Sequence, residues 1–122
     1  MFGSRSIDEP PFSQVSDAAT LETWLTAPGP GVLFLHDPHC PISRNAFGQV
    51  AAITGPVPAV NVSTDRALSK LIQERTGVRH ESPQVIVLRN GRVVWHGSHF
   101  GITKSAVLDA VAEAERDDSP SV

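Results

Sequence analysis

The sequence predicts an α/β fold, a three-layer sandwich in which helices cover both faces of a central mixed sheet of four to five strands. Helical and strand-like segments alternate over most of the chain, as in a β-α-β unit with parallel strands. Two strand-like segments then follow each other directly, joined by Asn90-Gly91, which is a strong signal for an antiparallel hairpin. Parallel and antiparallel pairs in one chain predict a mixed sheet.

The first elements are predicted from apolar spacing and helix-ending residues. Residues 12–15 offer a short first strand, and Ser16 is the expected cap of a helix that Pro28-Gly29-Pro30 ends. The apolar run at residues 31–36 is typical of a central strand buried on both faces. The next helix is closed by Gly55-Pro56. Its apolar face is formed by Ile42, Ala46, Val50 and Ile53.

The remaining elements complete the sandwich. Residues 57–62 read as a strand, and Asp65 and Gly77 are the expected ends of a third helix. After the hairpin, which spans residues 84–96, Thr103 is a good cap for a last helix. A β-α-β unit followed by a hairpin and a covering helix is a sandwich of the thioredoxin type.

Composition and charge restrict the function classes. The 122 residues, 40% hydrophobic and 19% charged, suit one globular domain, predicted at residues 12–116 between flexible segments at 1–11 and 117–122. A net charge of -3 gives no excess of positive charge that would bind nucleic acid. No apolar run approaches the roughly 20 residues that cross a bilayer, and no signal peptide is evident. We expect a cytoplasmic protein without a membrane or nucleic-acid partner.

Cys40, the single cysteine, lies in the segment that links the first buried strand to its helix. Pro41 suits the first helical position, so Cys40 is the expected cap, with the N–H groups of Ile42 and Ser43 pointing near its sulfur. These donors and the helix dipole favour the thiolate, which is the form that attacks disulfides. A protonated His39 would help to hold that thiolate. The alternative is a buried, inert cysteine, the usual fate of a lone one.

Ser43 occupies the position of the second cysteine in a Cys-x-x-Cys motif. Its hydroxyl is expected to donate to the Cys40 thiolate, but it cannot resolve a mixed disulfide. An external thiol must therefore release any adduct on Cys40. Ser82 and Pro83 precede the hairpin, and in a thioredoxin-like fold a proline here is normally cis and faces the cysteine, with the backbone of the residue before it free to pair with a substrate. The alternative is that Pro83 merely begins a strand.

Histidine spacing gives weak support for a metal, and no metal site is expected. The spacings considered are those of His36, His39 and Cys40, and of His96 and His99. These histidines are interpreted as loop or surface residues. Trp95 and Phe100 are expected to pack into the core, and the alternative is that either one borders a ligand groove.

The motifs resemble the bacillithiol-system YtxJ family, the monothiol bacilliredoxins, over about residues 16–112. The matching segments are residues 40–43, 77–91, 94–96 and 98–104. Membership implies removal of bacillithiol, a low-molecular-weight thiol, from oxidised cytosolic client proteins. Cys40 would be the nucleophile, Pro41, Ile42 and Ser43 the rest of the motif, and Pro83 the cis-proline. One departure is His39, where the family usually has Thr or Arg.

The same resemblance implies bacillithiol as thiol co-substrate, no bound cofactor, and recycling by free bacillithiol or a partner redoxin. Three other functions stay open on the sequence. They are an iron–sulfur scaffold of the monothiol glutaredoxin type, a non-catalytic thioredoxin-fold adaptor, and a peroxide-reducing cysteine. The last is the weakest, because no Thr-x-x-Cys arrangement with a supporting arginine is present.

Overall fold

In the computed structural model, which describes residues 7–116, five strands and four α-helices follow one another in the predicted order. The bounds are β1 Phe12–Gln14, α1 Ala18–Leu25, β2 Pro30–His36, α2 Pro41–Ala51, β3 Val57–Asn61, α3 Arg66–Thr76, β4 Gln84–Arg89, β5 Arg92–Ser98, a 3₁₀ turn His99–Gly101 and α4 Lys104–Arg116. The predicted α/β class is confirmed.

The strands form one sheet in the order β1-β3-β2-β4-β5, with β1, β3 and β2 parallel and the hairpin antiparallel. In the register of β2 with β4, Leu35 lies opposite Gln84. The carboxyl end of β2 and the amino end of β4 therefore meet at the same edge of the sheet. The cysteine loop that follows β2 and the proline that precedes β4 both begin at this edge.

Each face of the sheet buries its own apolar cluster. On β2, Phe34 belongs to the cluster under α2 and α4, whereas Leu33 and Leu35 belong to the cluster under α1 and α3. All three side chains are at most 1% exposed. Because successive side chains of a strand point to opposite faces, a central strand must be apolar throughout. This is the physical reason for the continuous apolar run seen in the sequence.

Two predictions need correction: the end of α2 and the burial of Phe100, which follows the hairpin. The second helix ends at Ala51 rather than at Gly55-Pro56, and Ile53 is buried in the turn that follows. Trp95 packs partly buried against the core, as predicted, but Phe100 is 69% exposed. Phe100 lies in the 3₁₀ turn His99–Gly101, none of whose residues is buried.

The chain ends carry two further findings. Ile7, placed by the sequence in the flexible N-terminal segment, packs into the core and is 4% exposed. Residues 1–6 and 117–122 lie outside the described residues, so the flexibility predicted for them stays a prediction. No helix within residues 7–116 is long and apolar enough to cross a membrane.

The ends of the later helices follow the sequence prediction. Thr103 Oγ accepts a hydrogen bond from the backbone N–H of Ala106 at 3.1 Å, as a cap does. Asp65 is the residue before α3, although its side chain makes no capping bond. Gly77 ends α3 with φ +74°, a left-handed conformation that glycine adopts without steric cost. Asn90 and Gly91 both have positive φ, as the tight hairpin turn requires.

The cap of α1 is Asp17, not Ser16 as the sequence suggested. Asp17 Oδ1 accepts the backbone N–H of Thr20 at 2.7 Å, and its other oxygen accepts the Thr20 hydroxyl. These bonds lower the pKa of Asp17 below its ordinary value. Both neighbouring residues have side chains that can cap, so the choice depends on which one has the extended backbone one residue before the helix.

Asp17→Ala is therefore expected to lower the thermal unfolding midpoint, because the Thr20 N–H loses its acceptor. Ser16→Ala is the matched control and should leave the midpoint unchanged. The two variants are compared by circular dichroism at pH 7. Equal shifts for both, or a larger shift for Ser16→Ala, would contradict the assignment of Asp17 as the cap.

Candidate active site

The turn between β2 and α2 is held by Asp37. Its backbone carbonyl accepts the N–H of Cys40 at 3.1 Å, and its Oδ1 accepts the N–H of His39 at 2.9 Å. An aspartate that accepts the N–H two residues on forms a tight local turn. The turn brings the chain directly into α2, where the N–H of Arg44 donates to the carbonyl of Cys40 at 3.0 Å.

Cys40 is the N-cap residue of α2 and Pro41 opens the helix, as predicted. The backbone of Cys40 is extended, with φ −101° and ψ 123°. Its thiol is free and the residue is partly exposed, so Cys40 is not a buried cysteine. One expectation fails, because the Cys40 side chain accepts no capping hydrogen bond from the helix.

Ser43 is fully buried, and the hydrogen bonds of its Oγ within residues 7–116 are to the end of β2 and not to Cys40. Its Oγ accepts the N–H of Asp37 at 2.9 Å and lies 2.7 Å from Nδ1 of His36. The expected donation to Cys40 is thus replaced by bonds to the end of β2. Ser43 ties α2 to the turn that carries the cysteine, which is a positioning role.

His36 is the residue of this site that sequence reasoning missed. Interpreted as a loop or surface histidine, it is in fact the last residue of β2 and 2% exposed. Its ring lies 5.2 Å from the rings of Phe34 and Phe47. Burial lowers the pKa of His36 to about 4, an effect that the charge of Asp37 opposes. The imidazole is therefore neutral at physiological pH. The available signal was its place at the end of an apolar run, on the same face of the strand as Phe34.

The Ser82-Pro83 peptide bond is cis, as the resemblance implied, and Pro83 is buried. The carbonyl of Pro83 accepts the N–H of His99 at 3.1 Å, which ties the start of β4 to the 3₁₀ turn. That turn contacts α2. The cysteine helix, the cis-proline and the 3₁₀ turn with its exposed Phe100 therefore share one edge of the molecule.

The other predicted site residues lie on the outside of the cysteine turn. The side chains of His39 and Pro41 are exposed, and Ile42 is half-buried. Within residues 7–116, no group of three or more His, Cys, Asp or Glu side chains could hold a metal ion. The geometry offers one accessible sulfur at a helix start, and the chemistry open to it is attack on a disulfide.

One partly exposed cysteine at the start of this helix, at the same end of the sheet as Pro83, matches the class of thioredoxin-fold thiol oxidoreductases that have no second cysteine in the motif. Sequence comparison narrows the class. The model of the monothiol bacilliredoxin BrxC family matches residues 13–107, and the chain belongs to that family.

Solved structures agree on the fold. A protein assigned provisionally as an oxidoreductase with a thioredoxin fold is 29% identical, with a TM-score of 0.75, over 81% of this chain and 92% of that one. A mutant thioredoxin from Halobacterium salinarum is 18% identical, with a TM-score of 0.68, over 93% and 96%. Thioredoxin from Malassezia sympodialis is 13% identical, with a TM-score of 0.66, over 84% and 89%. The last two likenesses concern the fold alone.

Proposed function

We propose that this protein removes bacillithiol from mixed disulfides on cytosolic client proteins, with Cys40 as the nucleophile and no bound cofactor. The observation that carries the proposal is the placement of the only cysteine, partly exposed, at the cap of α2. The family supports a thiol redox function, and its description supports one cysteine as sufficient.

The proposed first step is a disulfide exchange. The Cys40 thiolate attacks the bacillithiol sulfur of the mixed disulfide, and the bond to the client sulfur breaks. The electron pair stays on the client sulfur, which takes a proton from solvent and leaves as a free thiol. Cys40 then carries bacillithiol as a new mixed disulfide. One disulfide replaces another, so no external oxidant or reductant is needed.

The second step requires a thiol from outside the chain, because Ser43 has no sulfur and its hydroxyl is bonded to His36 and Asp37. Free bacillithiol or a partner redoxin attacks the bacillithiol sulfur on Cys40, which leaves as thiolate. With free bacillithiol the product is bacillithiol disulfide. The backbone of Ser82, next to cis-Pro83, is the proposed pairing site for the incoming peptide or thiol.

The test is the intact mass of the native protein after incubation with a bacillithiol mixed disulfide of a model protein, with the glutathione mixed disulfide in parallel. We expect a gain of one bacillithiol on the wild-type protein, none on Cys40→Ala, and a weak gain from glutathione. The client must appear as free thiol in the same amount, because the exchange is stoichiometric.

Three outcomes would contradict the proposal. Removal of bacillithiol by Cys40→Ala at the wild-type rate would exclude Cys40 as nucleophile. An equal gain from both substrates would remove the preference for bacillithiol. No adduct from either substrate, with a Cys40 that also resists alkylation at neutral pH, would favour the adaptor function.

A further inference from the structure

A cavity of about 540 Å³ lies beside the cysteine turn. Its walls include Asp37 of the β2–α2 turn, residues of α3 such as Arg66, Ser69 and Lys70, and the segment before β4 with Ser82. Two of these walls belong to the candidate active site. The carbonyl of Asp37 holds the N–H of Cys40, and Ser82 precedes the cis-proline.

The charge of the cavity wall is positive. Arg66 and Lys70 are four residues apart on α3, so they project from the same face of the helix. Neither side chain is in an ion pair with any residue in the range 7–116. The one carboxylate on the wall, that of Asp37, is engaged by the N–H of His39. An anion entering this cavity meets two unpaired cations.

Two hydroxyl groups on the wall lack partners. Ser69 is 7% exposed and its Oγ has no hydrogen bond to any described residue; the same holds for the buried Oγ of Ser82. Buried hydroxyl groups without a partner are uncommon, because each lost bond to water costs free energy. Two such hydroxyl groups that line the same cavity point to a polar ligand that forms hydrogen bonds with them.

We propose that this cavity binds the part of the small thiol that does not carry the sulfur, a group with carboxylates and several hydroxyls. Arg66 and Lys70 bind the carboxylates, while Ser69 and Ser82 bind hydroxyl groups. This inference rests on the proposed function and explains why the protein would prefer this small thiol as its substrate. With that group held in the cavity, the small-thiol sulfur, rather than the client sulfur, is presented to Cys40. The attack then releases the client and leaves the small thiol on the enzyme.

The kinetic test compares two double variants with the same change of charge. Arg66→Gln/Lys70→Gln removes the cations of the cavity. Arg75→Gln/Arg92→Gln removes two cations that do not line it. With the bacillithiol mixed disulfide, we expect kcat/KM to fall about tenfold in the first variant, chiefly through KM, and to stay at the wild-type value in the second. With a cysteamine mixed disulfide, which has no carboxylate, both variants should match wild type.

A binding test separates this inference from the proposed function. Free bacillithiol is titrated into Cys40→Ala protein, and backbone amide shifts are followed by NMR. Shifts in α3 that disappear when Arg66→Gln/Lys70→Gln is added support the cavity even if no transfer occurs. Normal transfer by Arg66→Gln/Lys70→Gln, or binding to Cys40→Ala without shifts in α3, overturns the inference while leaving the chemistry of Cys40 intact.

Discussion

Ser43→Ala is expected to lower the free energy of unfolding by about 3 kcal/mol, because it leaves two polar groups without a partner. The N–H of Asp37 loses its acceptor, and Nδ1 of the buried His36 loses its hydrogen bond. A hydrogen takes the place of the hydroxyl, and the surroundings of Ser43 and His36 are buried, so the protein offers these two groups no new partner there. Urea unfolding at pH 7, followed by circular dichroism, measures the change.

Ser69→Ala is the matched control, a second buried serine on a helix. Its Oγ has no partner among the described residues, so its removal leaves no other polar group unpaired and should not lower the free energy of unfolding. The rate of Cys40 alkylation distinguishes a positioning role of Ser43 from stabilisation of the thiolate. If Ser43→Ala slowed alkylation without a loss of stability, Ser43 would stabilise the thiolate, as the sequence suggested, and its positioning role would be wrong.

His36 makes the stability of the fold depend on pH. Its pKa is about 4 in the folded protein and close to 6.5 in the unfolded chain. Between these values the unfolded chain binds the extra proton, so the free energy of unfolding falls as pH falls. The contribution is fully present above pH 6.5 and is lost once pH reaches about 4. The full shift corresponds to about 3 kcal/mol, which partial solvent relaxation at the sheet edge reduces to about 2 kcal/mol.

The measurement is urea unfolding at intervals from pH 7 to pH 4 for three proteins. The wild type should lose stability over this range, and His36→Asn, which does not titrate there, should lose about 2 kcal/mol less. His96→Gln, which removes an exposed histidine, should follow the wild type. Parallel curves for wild type and His36→Asn would show that the folded protein accommodates a charged His36.

Local patterns were sufficient for the order of the elements. The apolar run of β2 is unambiguous because that strand is buried on both faces, and Asn90-Gly91 determines a hairpin because both residues tolerate positive φ. Caps were harder. Ser16 and Asp17 have equivalent capping chemistry, and only the backbone conformation at position 17 selects Asp17.

The candidate active site also had features that the sequence predicts and features that it does not. Cys40 and Pro41 were predictable, because a proline at the first helical turn specifies the residue before it as the cap. The environment of the sulfur was not. Ser43 could donate to Cys40 or to β2, and the direction of its hydroxyl depends on His36, seven residues earlier.

The fold class and the place of Cys40 at the start of a helix could be predicted from the sequence alone, because periodicity, capping residues and the number of cysteines are local or countable signals. The surroundings of Cys40 depend on packing between distant elements. His36 is buried because Phe34 and Phe47, from a strand and a helix, pack on its ring. Phe100 is exposed in the 3₁₀ turn that follows β5, where its hydrophobicity had predicted burial. The cavity beside the cysteine turn forms where the β2–α2 turn, α3 and the segment before β4 converge, and the β2–β4 register brings the first and last of these together.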